Sequence, residues 1–136
     1  LLSLDEYQKA WLLWNYSENT NWEQQVAITQ WAWAEFSAQL AGKKVAGKTM
    51  ERLKKLIWLA AQDVKAELAG KDVYPQQDLA ALCGVKPDNW SKNYGDYWRA
   101  MCGIFTSMDS EALMLVVRTR SQQKSTFSQQ GIAKVN

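Results

Sequence analysis

Apolar residues recur at three- and four-residue intervals along most of the chain, and the residues between those runs are of the kinds that start and stop helices. Ser3 with Glu6 reads as a capping box opening a helix that carries Leu4, Tyr7, Trp11 and Trp14, with a break over Asn15 to Asn19. Thr20 with Glu23 repeats the device, and the next stripe is Trp22, Val26, Trp33, Phe36 and Leu40, ended by Gly42. Beyond the linker 42–47, Thr49 is the expected cap of a third helix with Met50, Leu53, Ile57, Ala60, Val64 and Leu68 on one face, and Gly70 stops it. Pro75 suits a first helical turn, so Gln76 to Cys83 is predicted as a short helix closed by Gly84.

Pro87 restarts the chain. From Asp88 toward Met108 a longer helix crowds Trp90, Tyr94, Tyr97, Trp98, Met101 and Phe105 on one side. Ser107 or Asp109 is the expected cap of a last helix from Ser110 to about Arg120, although Leu113 to Val117 would pass for a strand in isolation. The Gln- and Ser-rich stretch 121–136 lacks a core stripe and is expected to be a flexible tail. The prediction is an all-α, compact bundle of five or six helices with a helix-turn-helix-like second half. It forms one domain over 1–120: a Trp-rich helical pair (1–42), a basic helix (49–69), a helix-turn-helix-like unit (75–105) and the last helix (109–120).

Composition narrows the chemistry. The chain has 136 residues and no His, which closes Ser-His-Asp, Cys-His and HExxH mechanisms. Cys83 and Cys102 lack CxxC spacing, so neither a zinc knuckle nor a redox motif is written, and a reduced, cytoplasmic setting fits. No metal, cofactor or catalytic residue is expected. Of the carboxylate pairs, Asp63 and Glu67 share a helical face, but beside Lys55 and Lys65 they read as solvated ion pairs. Apolar stretches are interrupted by charge or amide, so no membrane span is expected. Leu1 and Leu2 precede a cap rather than a basic leader; no signal peptide is expected, and the missing Met suggests a trimmed start.

The net charge of +2 hides an uneven distribution. Residues 1–42 hold one base and five acids, residues 43–70 hold seven bases against three acids, and residues 112–136 hold four bases and no acid. Such basic segments can track a phosphate backbone, or they can simply face solvent.

The segment from Asp78 to Lys92 has the texture of a helix-turn-helix unit: small Ala80 at the helix crossing, Gly84 at the turn, Val85 and Trp90 plugging the gap, and Leu79 and Cys83 on the buried side. Its second helix would present Lys86, Asn89, Ser91 and Lys92 to base edges, while Lys54, Lys55, Arg118 and Arg120 are the candidates for phosphate contacts. Two positions fit less well. Asn93 falls where an apolar residue is usual, and Asp88 brings a negative charge toward phosphate.

The pattern Gly84-Val85, Trp90, Tyr94 and Tyr97-Trp98, after a helical half with Trp31, Trp33, Phe36 and Arg52-Leu53, resembles small all-helical proteins encoded by lambdoid prophages of enteric bacteria. Some of those are antitermination-like. The resemblance implies a phage regulator acting on double-stranded DNA or the transcription machinery. The Cys-rich zinc motif of late antiterminators is absent here.

Eight Trp and five Tyr allow a competing reading, a protein-interaction module using an aromatic surface as a homodimer or host-protein adaptor. Packing along the stripes argues that Trp22, Trp33, Trp58 and Trp98 are core, whereas Trp11 and Trp31 have mixed neighbours.

Overall fold

A computed structural model describes the backbone over residues 4–17 and 21–135, with side chains described as far as Ser121. The elements are α1 (Glu6–Tyr16), α2 (Trp22–Gln39), α3 (Gly47–Leu68), α4 (Gln76–Cys83), a short α5 (Pro87–Asn89), a π-helical turn (Trp90–Tyr94) and α6 (Gly95–Val135). No strand occurs among the described residues, so the all-α prediction holds. Leu113 to Val117 is helical.

The first two caps sit later than the spacing suggested. Asp5 precedes α1, and its N–H donates to Gln8 Oε1 at 3.0 Å. Asn21 caps α2: Gln24 N–H donates to Asn21 Oδ1 at 2.9 Å, and Asn21 N–H donates to Gln24 Oε1 at 3.2 Å. The device is the expected one, made from amide partners in place of Glu. Ser3 and Thr20 lie outside the described residues. Helix α3 starts at Gly47 on an Ala46 cap position, so Thr49 lies inside its first turn instead of capping it.

The core stripe of α2 is Ile28, Ala32, Phe36 and Leu40. Trp22 shares that side of the helix but occupies the first turn, where no neighbour covers it; it is 74% exposed and lines an open apolar groove with Val26 and Trp58. Trp22 therefore leaves the predicted core. Trp98 is buried, Trp33 and Trp58 are half-buried, and Trp11, whose place was unsettled, is fully enclosed. Trp11 stacks on Phe105 with ring centroids 5.5 Å apart, and Tyr7 lies flat on Trp31 at 4.3 Å. On α3 the buried face is Leu53, Leu56, Ile57, Ala60, Ala61 and Val64, while Leu68 is exposed near the helix end.

Two expectations about charge are overturned. Asp63 is buried and accepts the Tyr74 N–H at 2.7 Å, pinning the loop between α3 and α4. Burial raises its pKa, opposed by that N–H, with Glu67 adding to the rise. Lys65 donates to the Trp14 carbonyl at 2.8 Å and lies 4.3 Å over the Trp14 ring, so neither residue is in a solvated ion pair.

No helix starts at Ser107 or Asp109. Asp109 is buried in mid-helix, where it accepts Trp11 Nε1–H at 3.0 Å and the Tyr16 hydroxyl at 2.8 Å. Helix α6 passes through both positions, merging the two predicted helices, and its backbone stays helical to Val135 through the predicted tail. Within 87–121 one stretch of the helix is long and apolar enough to cross a membrane by length and composition alone, a test that core helices also pass. Met101, Phe105, Met108 and Ala112 from this region are spent on the core.

Candidate nucleic-acid interface

The helix-turn-helix-like unit is built from the turn outward. Gly84 adopts φ 69°, a left-handed conformation that costs glycine little. Val85 N–H then reaches the Ala80 carbonyl at 2.9 Å and Gly84 N–H the Ala81 carbonyl at 3.1 Å, the paired bonds of a Schellman ending. Val85, Leu79 and Ala80 are buried beneath this turn, whereas Cys83 is only half-buried. Burial pushes the Cys83 thiol pKa up, against the charges of Arg52 and Lys55, which puts those two α3 cations within electrostatic reach of the turn.

Lys86 takes the N-cap position and Pro87 the first helical turn, where its missing N–H is harmless. Trp90 is buried and donates Nε1–H to Gln76 Oε1 at 2.7 Å, tying the second helix to the start of α4. The backbone then widens by one residue: Gly95 N–H bonds the Trp90 carbonyl, an i to i+5 link. Trp90 and Tyr94 stack at 6.0 Å facing the core, and Asn93 is carried outward. Tyr94, on the stripe predicted from sequence, is the buried residue of this pair.

Lys86, Asn89, Ser91 and Lys92 are all exposed. Asn93 donates to Asn89 Oδ1. Lys54 and Lys55 are exposed on α3. Arg118 and Arg120 are exposed as well, but Arg118 lies 29 residues beyond Asn89 along the same rod. At about 1.5 Å per residue the two are on the order of 40 Å apart. The structure thus brings part of α3 to the turn and leaves the α6 arginines far away.

A polar groove of about 330 Å³ separates the start of α3 from the π turn, lined by Lys44, Thr49, Arg52, Asn89, Asn93 and Tyr97 among others. Arg52 donates to the Tyr94 hydroxyl at 3.1 Å across it. Lys44, Thr49, Arg52 and Tyr97 are not among the contact candidates named from sequence, because the groove joins segments about 40 residues apart that share no motif. The only available signal was the positive excess of 43–70.

The family model for phage antitermination protein Q matches residues 1–133. The chain belongs to that family. It is 63% identical over 136 residues to antitermination protein Q of Enterobacteria phage 82, covering all of this chain and 59% of that protein. The chain therefore spans about three-fifths of the length of this curated relative. No solved structure matches. Membership in the antitermination Q family agrees with the prophage resemblance carried by Gly84-Val85, Trp90, Tyr94 and Tyr97-Trp98.

Proposed function

We propose that this antitermination Q family member is a regulator rather than an enzyme, acting in the cytoplasm on phage transcription by binding double-stranded DNA and engaging the transcription machinery. Lys86, Asn89, Ser91 and Lys92 read base edges, and Lys54 and Lys55 hold phosphates. Arg118 and Arg120 hold phosphates further along the duplex, since one helical turn of B-DNA spans about 34 Å.

One observation carries the reading. The segment that follows the Schellman turn leaves Lys86, Asn89, Ser91 and Lys92 each exposed, and Asn89 lines the groove beside the basic start of α3. Lys pairs with guanine acceptors and Asn with adenine, so side chains of the right types stand on a helix fixed from behind by Trp90 and Tyr94.

The test is fluorescence anisotropy on labelled duplex DNA over a salt series. Wild type should bind and weaken steeply as salt rises, and a Lys86→Ala/Lys92→Ala variant should lose about tenfold or more in affinity while its circular dichroism is unchanged. Absence of binding by wild type at low salt would end this reading. A protein-interaction module is the second reading, supported by Trp22 standing exposed over an apolar groove with Trp58. Self-association in sedimentation that is lost in Trp22→Ala would favour it.

A further inference from the structure

We infer that the groove between the start of α3 and the π turn is a clamp for one DNA backbone phosphate, held by Arg52 and Lys44. The inference rests on the DNA-binding reading and adds a contact to it.

The lining explains the choice of ligand. Lys44 and Arg52 bring two positive charges into the groove and no Asp or Glu lines it. Among the described residues neither cation has a carboxylate partner, the one ion pair there being Arg99 with Asp96. Thr49, Tyr97, Asn89 and Asn93, all with side chains able to donate hydrogen bonds, line the same groove. Asn93 already donates to the Asn89 carbonyl oxygen, which leaves the Asn89 amino group as a donor.

Arg52 is oriented in advance. Its bond to the Tyr94 hydroxyl uses one of five N–H donors, so the planar fork is held against a buried ring with donors left for two phosphate oxygens. The first turn of α3 adds to the field: it has no side-chain cap and no acidic residue, and its leading N–H groups have no acceptor within the helix. A donor-rich groove without acids suits an anion. Asn89 belongs both to this groove and to the exposed helix proposed to read bases, so the anion that fits the placement is the phosphodiester flanking the base that Asn89 reads.

The experiment measures anisotropy of a labelled mixed-sequence duplex against KCl concentration for wild type, Arg52→Gln, Lys44→Ala and the Lys86→Ala/Lys92→Ala control. A phosphate contact is independent of sequence, so Arg52→Gln should weaken binding equally on every duplex tried and flatten the log–log salt slope by about 0.9 for one lost phosphate. Lys44→Ala, on an exposed side chain ahead of α3, should act in the same direction without touching the core.

Slopes identical to wild type in both variants, with duplex binding retained, would overturn the clamp and leave the DNA reading standing. Wild type that binds no duplex overturns both. If inorganic phosphate at constant ionic strength removes the difference between wild type and Arg52→Gln, free and backbone phosphate compete for one site, as the clamp requires; a difference that phosphate leaves untouched at any concentration tested counts against it. A larger loss on single-stranded RNA than on duplex DNA refutes it as well.

Discussion

Replacing Asp109 by Ala removes an acceptor at the point where α1 meets α6. Trp11 is fully buried and its Nε1–H has Asp109 as its partner at 3.0 Å; Tyr16 donates to the same oxygen at 2.8 Å and Asn15 at 3.5 Å. Tyr16 is 53% exposed, so its hydroxyl turns to water at little cost. The Trp11 N–H has no such route. Stranding a buried donor costs about 1–3 kcal/mol, and losing a hydrogen bond to a charged acceptor puts the total near the upper end, about 3 kcal/mol. Against a domain stability of roughly 5–15 kcal/mol this is a large loss.

The assay is urea unfolding followed by circular dichroism at the helical band, for Asp109→Ala, Trp11→Phe and the double variant. Phe at position 11 has no N–H to strand, so the double variant should be more stable than the sum of the singles predicts, by about 1–2 kcal/mol. Asp109→Ser should be about as damaging as Asp109→Ala, because a hydroxyl on Cβ does not extend to the Trp11 N–H. A cost below about 1 kcal/mol, or additivity within about 0.5 kcal/mol, would refute the account of Asp109 as a buried cross-helix acceptor. Near-native stability of Asp109→Ser would restore the helix-cap role expected from its position in the sequence.

Three further outcomes are expected. Gly84→Ala should cost about 1–2 kcal/mol in urea unfolding, all of it from backbone conformation, because φ is 69° and an added Cβ meets nothing within 4 Å; an unchanged midpoint would contradict the left-handed turn. Stability should fall as pH rises between about 9 and about 12. Burial first, then Asp63 and Glu67, push the Cys102 thiol up to about 12 from 9.0, and burial first, then the bond and charge of Asp109, push Tyr16 up to about 12 from 10.0. Both groups keep their protons longer when folded, so the unfolded chain binds fewer protons in that window; the stabilisation is complete below pH 9 and lost toward pH 12. Equal urea midpoints at pH 8 and pH 10.5 would contradict it, and Cys102→Ala should reduce the early part of the fall. Trp22→Ala should change stability by less than about 0.5 kcal/mol, as expected for a surface position, and a loss several times larger would place Trp22 in the core.

Local order was legible in the residues themselves. Gln76 to Cys83 begins after Pro75, which takes the N-cap position rather than the first turn, and ends at Gly84 as the sequence predicted, because the fixed φ of proline and the left-handed turn of glycine are properties of single residues. The period of α3 identified Leu53, Ile57, Ala60 and Val64 as core, since a helix repeating every 3.6 residues fixes its own buried face. The same local reasoning marked Lys86, Asn89, Ser91 and Lys92, and all four are exposed.

Tertiary structure decided what distance along the chain conceals. Asp109 resembles a helix cap until Trp11 and Tyr16 arrive from more than 90 residues away, and then its carboxylate is better used as their acceptor than as a break in α6. Trp22 has the periodicity of a core residue, but whether a face is covered depends on where the neighbouring helices end. Asn93 is exposed on this segment while Trp90 and Tyr94, four residues apart, share its buried face as the helical repeat predicted. The groove of Lys44, Arg52 and Asn89 exists only because α3 and the π turn lie side by side, a juxtaposition of distant segments that no local spacing rule encodes.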